Sequence, residues 1–207
     1  MIRGLTILTA LLPALAVAQG AAPAQSTKAA SVIALPTWKI DVAHSELSFT
    51  IRHMVSKVRG QFDEWSGTIA ADPADWSTAS VEVVAQTSSI NTNNESRDAD
   101  LRSENHFDAD RNPTVTFRST KVARLPGDSV AVSGNLTIHG ITKPVVLRAH
   151  LTAITGVPGK RRAGFEAETT INRQDFNMTW NRIVEGASML GDEVRIEIAI
   201  AAVEQPR

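Results

Sequence analysis

The stretch from Val130 to Ala153 constrains the fold most strongly, because its apolar residues alternate with other residues on either side of one glycine. A period of two is typical of a β-strand with one buried face. Gly140 interrupts the alternation and Pro144 stands where it resumes, so the stretch predicts a β-hairpin whose two apolar faces point the same way. The predicted register pairs Ile138 with Val145, Leu136 with Leu147, and Gly134 with Ala149.

The rest of the chain repeats the same two-residue period. Further alternating runs lie near residues 38–40, 47–51, 58–70, 81–90, 113–117, 165–171 and 194–200. One helix is indicated between these runs, where Asn93 or Asn94 can cap a first turn that carries Glu95 and Asp98. About eight strands, mostly adjacent in sequence, favour an antiparallel sheet that closes on itself. The predicted fold is therefore all-β: an eight-stranded antiparallel lipocalin-like barrel with one short helix near the rim.

The N-terminal residues follow a different pattern. An apolar run from Leu5 to Val17 is interrupted by Pro13 and ends in an Ala-Val-Ala sequence. The run is shorter than the ~20 residues of a membrane-spanning helix, so residues 1–18 are predicted to be a secretory signal peptide, with an uncleaved anchor as the alternative. Residues 19–36 are predicted to be a flexible spacer, which leaves the barrel domain at residues 37–204.

Composition excludes several classes of function. The chain contains no cysteine, which rules out disulfides, thiolate chemistry and Cys-ligated metals. Its formal net charge of −1 lacks the basic excess of nucleic-acid-binding domains. The five histidines show no metal-ligand spacing, and no hydrolase or phosphate-binding motif is present. We therefore expect no nucleic-acid partner, no metal, no cofactor and no enzymatic activity.

The alternate residues of the predicted strands that face the barrel interior are mainly apolar, and this pattern has two interpretations. The same apolar pattern lines a ligand tunnel or fills a packed core. A tunnel is favoured slightly by the small inward residues Gly60, Ala85, Gly134 and Ala149. The candidate tunnel lining comprises Phe49, Ile51, Phe62, Val83, Phe117, Leu136, Ile138, Leu147, Leu151, Ile171 and Ile196. The polar candidates are His53, Arg173 and Asp175, and Arg173 with Asp175 is also a candidate ion pair.

Five longer segments carry a resemblance to known proteins. They are HSELSFTIRHMVSKVRGQF (44–62), SSINTNNESRDADLRS (88–103), FDADRNPTVTF (107–117), GNLTIHGITKPVVL (134–147) and INRQDF (171–176). In this order they closely resemble the YceI family of bacterial secreted proteins. Two positions depart from the family pattern. His106 stands where an aromatic residue usually precedes Phe107, and Asn177 stands where glycine often follows the Asp-aromatic pair.

The resemblance implies both a location and a ligand. It implies a periplasmic, lipocalin-like barrel that encloses a polyisoprenoid chain in an apolar tunnel. The expected function is non-covalent binding of a long-chain isoprenoid lipid, of quinone or polyprenyl type, as a carrier or store. A helix near residues 94–107 would then border the entrance. A structural or stress-response barrel without lipid, and less favourably a hydrolase, are the alternatives, while homodimerisation and transient membrane contact both stay open.

Overall fold

The computed structural model describes residues 34–184 and 186–206, and within them the chain forms thirteen β-strands and one α-helix. The strands are β1 (Thr37–Ile40), β2 (Glu46–His53), β3 (Ser56–Phe62), β4 (Trp65–Asp72), β5 (Asp75–Gln86), β6 (Ile90–Asn91), β7 (Thr114–Arg124), β8 (Ser129–Ile138), β9 (Ile141–Thr155), β10 (Arg162–Asn172), β11 (Ile183–Val184), β12 (Ala187–Ser188) and β13 (Leu190–Glu204). Helix α1 is Glu95–Arg102, and 3-10 turns lie at Val42–His44, Thr87–Ser89 and Arg173–Phe176.

Eight of these strands form a closed antiparallel ring. Their order is β1, β4, β5, β7, β8, β9, β10 and β13, and the ring closes because β13 pairs with β1. Strand β13 pairs with β10 along one edge and with two strands along the other: Leu190–Ala199 faces β2, and Ala202–Glu204 pairs with β1. Strands β2, β3 and β6 extend the wall from there. The eight-stranded antiparallel barrel predicted from the sequence is confirmed.

The hairpin from β8 to β9 is tighter than its predicted register. His139 and Gly140 form a two-residue turn in which both residues have positive φ, 51° and 71°, as a type I′ turn requires. This turn pairs Ile138 with Ile141, Leu136 with Lys143, Gly134 with Val145, and Val132 with Leu147. The predicted register is therefore wrong by four residues. Because four is even, the same side chains still face inward.

Helix α1 begins where its cap was predicted. The side-chain oxygen of Asn94 accepts a hydrogen bond from the Arg97 backbone N–H at 3.0 Å. Asp98 is buried and accepts hydrogen bonds from the Thr92 backbone N–H at 2.8 Å and from its hydroxyl at 2.5 Å. The sequence suggested a helix near residues 94–107, but the helix ends at Arg102. These bonds hold α1 against the end of β6.

The barrel end that contains β1 is closed by three aromatic side chains, Trp38, Trp76 and Phe165, which we call the aromatic plug. The ring centroids of Trp38 and Trp76 are 5.4 Å apart, and Phe165 lies 4.8 Å from Trp76 in an edge-on arrangement. Small residues around Trp38 make room for the two indoles; they are Ala71, Ala163 and Ala202. The plug therefore forms one end of the barrel core.

An ion pair between the buried Glu204 and the partly buried Arg161 lies beside the plug. The Glu204 carboxylate accepts hydrogen bonds from Arg161 Nε at 2.8 Å, from Arg161 Nη2 at 2.6 Å and from the Gly159 backbone N–H at 2.7 Å. The Arg161 guanidinium also lies 5.5 Å from the centroid of the Trp38 ring. The hydrogen bonds from Arg161 lower the pKa of Glu204 from 4.5 to about 2.

Replacing Glu204 with glutamine is expected to remove a pH-dependent part of the stability. A folded-state pKa of about 2, against an ordinary 4.5, means that the carboxylate stabilises the fold above pH 4.5 and loses this effect as the pH falls toward 2. The shift corresponds to about 3 kcal/mol in the free energy of unfolding at neutral pH. Urea unfolding at a series of pH values, with the exposed Glu82→Gln as control, should show the gap to wild type closing below pH 4.5. A gap that stays constant with pH would contradict this assignment.

Within the described ranges, no helix combines the length and the apolar character needed to cross a membrane. The predicted signal peptide at residues 1–18 and residues 19–33 of the predicted spacer lie outside these ranges, so both stay predictions. Strand β1 begins at Thr37, the residue at which the barrel domain was predicted to start.

Candidate ligand-binding cavity

The inner face of the barrel surrounds a cavity of about 770 Å³. Its wall consists mostly of aliphatic and aromatic side chains from the ring strands and from β2 and β3. Packed protein interiors contain few voids larger than a water molecule, whereas small-molecule sites commonly measure ~300–1,000 Å³. The inward-facing apolar side chains of the strands therefore line a cavity and do not fill the barrel.

Nearly all of the predicted apolar lining lies on this wall. The wall includes Phe49, Ile51, Phe62, Val83, Phe117, Leu136, Ile138, Leu147, Ile171 and Ile196. Leu151 is the exception among the predicted residues, because it pairs with Phe165 and packs against the cluster around Trp38 without lining the cavity. The alternation along β9 correctly places Leu151 on the inner face, but alternation does not specify how far along the barrel a residue lies. Contact between these side chains and a ligand stays a prediction.

Two inward glycines have a different role from the predicted one. A Cβ atom at Gly60 would lie 2.4 Å from the ring of Phe49, and a Cβ atom at Gly134 would lie 2.4 Å from the ring of Phe117. The space above each glycine is therefore occupied by a phenylalanine, which packs directly against the backbone. Ala85 does line the cavity, as does the alanine predicted alongside it at position 149.

Polar side chains line the end of the cavity away from the aromatic plug, which we call the polar end. Along β13 the wall runs from Leu190, which is hydrogen-bonded to Asn181 of the segment that follows β10, to Ile200, which pairs with Phe165 of the plug. The polar residues on the wall at the polar end are His53, Asn94, Ser96, Arg97, Asp100, His106 and Arg173. Helix α1 thus borders the cavity, in agreement with its predicted position near the rim.

His106 is the most deeply buried histidine at the polar end, with 5 % of its surface exposed. Its Nε2 atom lies 3.4 Å from Asp100 Oδ2, and its ring centroid lies 5.1 Å from that of Trp180. Burial lowers the pKa of His106, and the opposing effect of the Asp100 carboxylate is smaller. The imidazole is therefore neutral at pH 7 and can offer a ligand one hydrogen-bond donor or acceptor.

Arg173 is 3 % exposed, and its guanidinium links the segment between β10 and β13 to the start of β13. Its Nε atom donates to the Gly191 carbonyl at 2.9 Å, and Nη1 donates to the carbonyls of Met178 and Trp180. The remaining Nη2 atom donates to Asp192 Oδ1 at 3.0 Å. Four of its five N–H groups are thus used within the protein, and the guanidinium holds the polar end together.

Two expectations for Asp175 are corrected by this geometry. Asp175 is exposed and is not part of the cavity wall, and the carboxylate that pairs with Arg173 belongs to Asp192. Arg173–Phe176 is a 3-10 turn, in which residues two positions apart do not share a face. The third polar candidate, His53, does lie on the wall, where it pairs with Leu190 across β2 and β13.

The polar end offers hydrogen bonds to a ligand. Over the described part of the chain, His, Asp and Glu side chains form no group of three or more that could hold a metal ion. The donors and acceptors that face the cavity come mainly from α1, from the following loop and from the segment after β10. This arrangement suits an amphipathic molecule whose tail lies in the apolar wall and whose polar group stays near α1.

Comparison with known proteins identifies the barrel. A family model described as a YceI-like domain matches residues 38–202. The chain belongs to the YceI family. Among YceI relatives, a UPF0312 protein of Pectobacterium atrosepticum is 38 % identical over 164 residues, which cover 78 % of this chain and 82 % of that protein. The resemblance predicted from the five segments is therefore confirmed.

Two solved structures share the YceI barrel. BcnA of Burkholderia cenocepacia aligns with a TM-score of 0.69 and 24 % identity, covering 78 % of this chain and 98 % of that one. A polyisoprenoid binding domain from Saccharophagus degradans, implicated in plant cell wall breakdown, aligns with a TM-score of 0.62 and 16 % identity, covering 81 % and 98 %. At these identities the likeness establishes the shared fold.

Proposed function

We propose that this YceI-family domain binds one long-chain isoprenoid lipid, of quinone or polyprenyl type, non-covalently in the barrel cavity. The observation that carries the proposal is the apolar cavity of about 770 Å³, closed by the aromatic plug and lined by polar groups at its other end. The Saccharophagus degradans domain of the same fold is a polyisoprenoid binding domain, which supports this choice of lipid. A barrel without lipid, the structural alternative, would need no such cavity.

The source of the lipid determines which contacts matter. Burying a 40-carbon tail from water at ~0.8 kcal/mol per methylene-sized group would give on the order of 30 kcal/mol, which exceeds the ~20 kcal/mol at which non-covalent affinities saturate. A lipid taken from a membrane has its tail in hydrocarbon already, so the transfer of the tail is close to neutral. Occupancy then depends on the fit of the cavity and on hydrogen bonds at the polar end.

The proposed setting is the periplasm, where the domain would carry or store the lipid. This location follows from the predicted signal peptide and from the resemblance to secreted proteins. Transfer of lipid between membranes or from a store requires transient membrane contact, and the end bordered by α1 is where the tail would enter.

Purification from a bacterial host should yield the lipid with the protein. The mature protein, extracted with organic solvent, is expected to release close to one prenyl lipid per chain by mass spectrometry. The control is the Ala149→Trp variant, purified in parallel from the same host, because its cavity is obstructed. An extract without prenyl lipid from both proteins would contradict the proposal.

A further inference from the structure

The cavity ends at one large side chain of the aromatic plug. Trp76 lies on the cavity wall together with Ala79 and Ile200, whereas Trp38 is fully buried behind it and is not part of the wall. The Trp76 ring contacts both Trp38 and Phe165, at centroid distances of 5.4 and 4.8 Å. A hydrocarbon tail that enters from the polar end therefore meets the Trp76 indole where the cavity stops.

The barrel is closed behind Trp76 by packed side chains. Trp38 and the alanines around it, Ala71, Ala163 and Ala202, are at most 2 % exposed. The ion pair of Arg161 and Glu204 lies beside this cluster, with the guanidinium over the Trp38 ring. A tail cannot pass this layer without displacing a buried indole and the ion pair of the buried Glu204, so the cavity has a fixed deep end.

The strand register sets the direction of an amphipathic ligand. Phe165 pairs with Ile200 at the plug, and Ile171 pairs with Val194 near the polar end. Six residues of an antiparallel strand span ~20 Å, and the inward residues between these two pairs are mainly apolar. A polar group at the plug would lose its hydrogen bonds to water, whereas the polar end supplies partners, so the tail points toward Trp76.

The volume of the cavity gives the length of tail it can hold. A carbon atom with its hydrogens takes up about the volume that one molecule occupies in liquid water, ~30 Å³. At that size the cavity of about 770 Å³ accommodates about 25 carbon atoms, or about five isoprene units. A longer tail would leave its head-proximal part outside the polar end.

We propose that Trp76 is the residue that selects the length of the bound tail. This inference rests on the proposed function and adds to it a preferred ligand size of about five isoprene units. Trp76 acts as a stop because it is the largest side chain at the deep end of the wall, and the fully buried Trp38 supports it from behind.

Trp76 is also suited to substitution. Among the described residues its indole N–H has no hydrogen-bond partner, so an apolar replacement leaves no protein group unpaired. Replacing the indole by alanine frees the space of about nine heavy atoms, which corresponds to one to two isoprene units. Trp65 provides a matched control, because it is a buried tryptophan in a separate cluster and is not part of the cavity wall.

The experiment is a competition among all-trans polyprenols of 15, 20, 25, 30, 35 and 45 carbons. Each lipid-free protein is incubated with an equimolar mixture, isolated again and extracted, and the bound alcohols are quantified by mass spectrometry. Wild type and Trp65→Leu are expected to enrich the chain of about 25 carbons. Trp76→Ala is expected to shift the preferred chain length upward by about 5–10 carbons, and Trp76→Leu, which fills part of the space, by less.

Each outcome of the competition is decisive. An upward shift in either Trp76 variant, absent in Trp65→Leu, supports the stop. Identical length profiles in wild type and in the folded Trp76 variants would overturn it while leaving lipid binding intact. Retention of no polyprenol by any of the proteins would instead contradict the proposed function itself, and with it this inference.

Discussion

Replacing Ala149 with tryptophan is expected to weaken binding of a long isoprenoid by at least about 100-fold while the barrel still folds. Ala149 lies on the cavity wall and pairs with Ala167, which also lines the cavity. Ala167 in turn pairs with Ile198, one inward position from Ile200, which pairs with the plug residue Phe165. The added indole therefore enters the cavity from a part of the wall where two small side chains lie next to each other, and it separates the deep end from the rest of the cavity.

The expected loss follows from the part of the tail that no longer fits. About four methylene-sized groups left in water, at ~0.8 kcal/mol each, amount to about 3 kcal/mol, or a factor of about 100 in affinity. Overpacking of a filled core costs ~1–3 kcal/mol, but here the indole enters empty space, so the loss of stability should be smaller. The measurements are the lipid recovered per chain and the urea midpoint of the lipid-free protein.

A matched control lies on the same strand. Val146 is 55 % exposed on the outer face of β9, so Val146→Trp adds the same side chain outside the cavity. This variant should bind as much lipid as the wild type. Equal lipid recovery from Ala149→Trp and Val146→Trp would mean that the ligand does not occupy the barrel interior.

The barrel itself could be predicted because its signal is local. In a strand, alternate side chains face opposite sides, so the inward residues are evident from the sequence once the strands are recognised. The register of the β8–β9 hairpin is a different kind of property. Pairings that differ by an even number of residues give the same parity, and the positive φ angles of His139 and Gly140 select among them.

Position along the barrel could not be predicted from parity. Leu151 alternates like its neighbours but lies at the level of the plug, where it pairs with Phe165, and Gly60 and Gly134 accommodate phenylalanine rings instead of widening the cavity. The small size of these glycines was visible in the sequence. Whether the resulting space holds a neighbouring ring or a ligand depends on cross-strand packing, which the sequence pattern does not specify.

The polar end was the hardest part to predict, because separate segments without periodicity assemble it. His106 was noted as a departure from the family pattern, and its burial beside Asp100 and Trp180 places that departure on the cavity wall. Asn94 was identified as a helix cap, but no sequence signal indicated that it also lies on the cavity wall. Residues from α1 and from the segment after β10 come together only through the closed barrel.

Replacing Arg173 with alanine is expected to lower the free energy of unfolding of the lipid-free protein by on the order of 3–5 kcal/mol. The substitution leaves the carbonyls of Met178, Trp180 and Gly191 without their donor, and leaves Asp192 without its cation. Such a loss is a large fraction of the ~5–15 kcal/mol that stabilises a typical domain. Urea unfolding of the lipid-free protein measures it directly.

Two further variants separate the fork of the guanidinium from its charge. Arg173→Lys keeps the charge near Asp192 but presents its donors on one nitrogen, so it should recover only part of the lost stability. Arg118→Ala removes an arginine that is 74 % exposed and pairs with Glu82, and it should change stability by less than about 1 kcal/mol. If Arg173 served mainly to contact a lipid head group, Arg173→Ala would leave the lipid-free protein as stable as Arg118→Ala and would reduce only the stability gained on loading. The hydrogen bonds of Arg173 to three carbonyls favour the loss of stability in the lipid-free protein, because they hold the polar end together before any lipid binds.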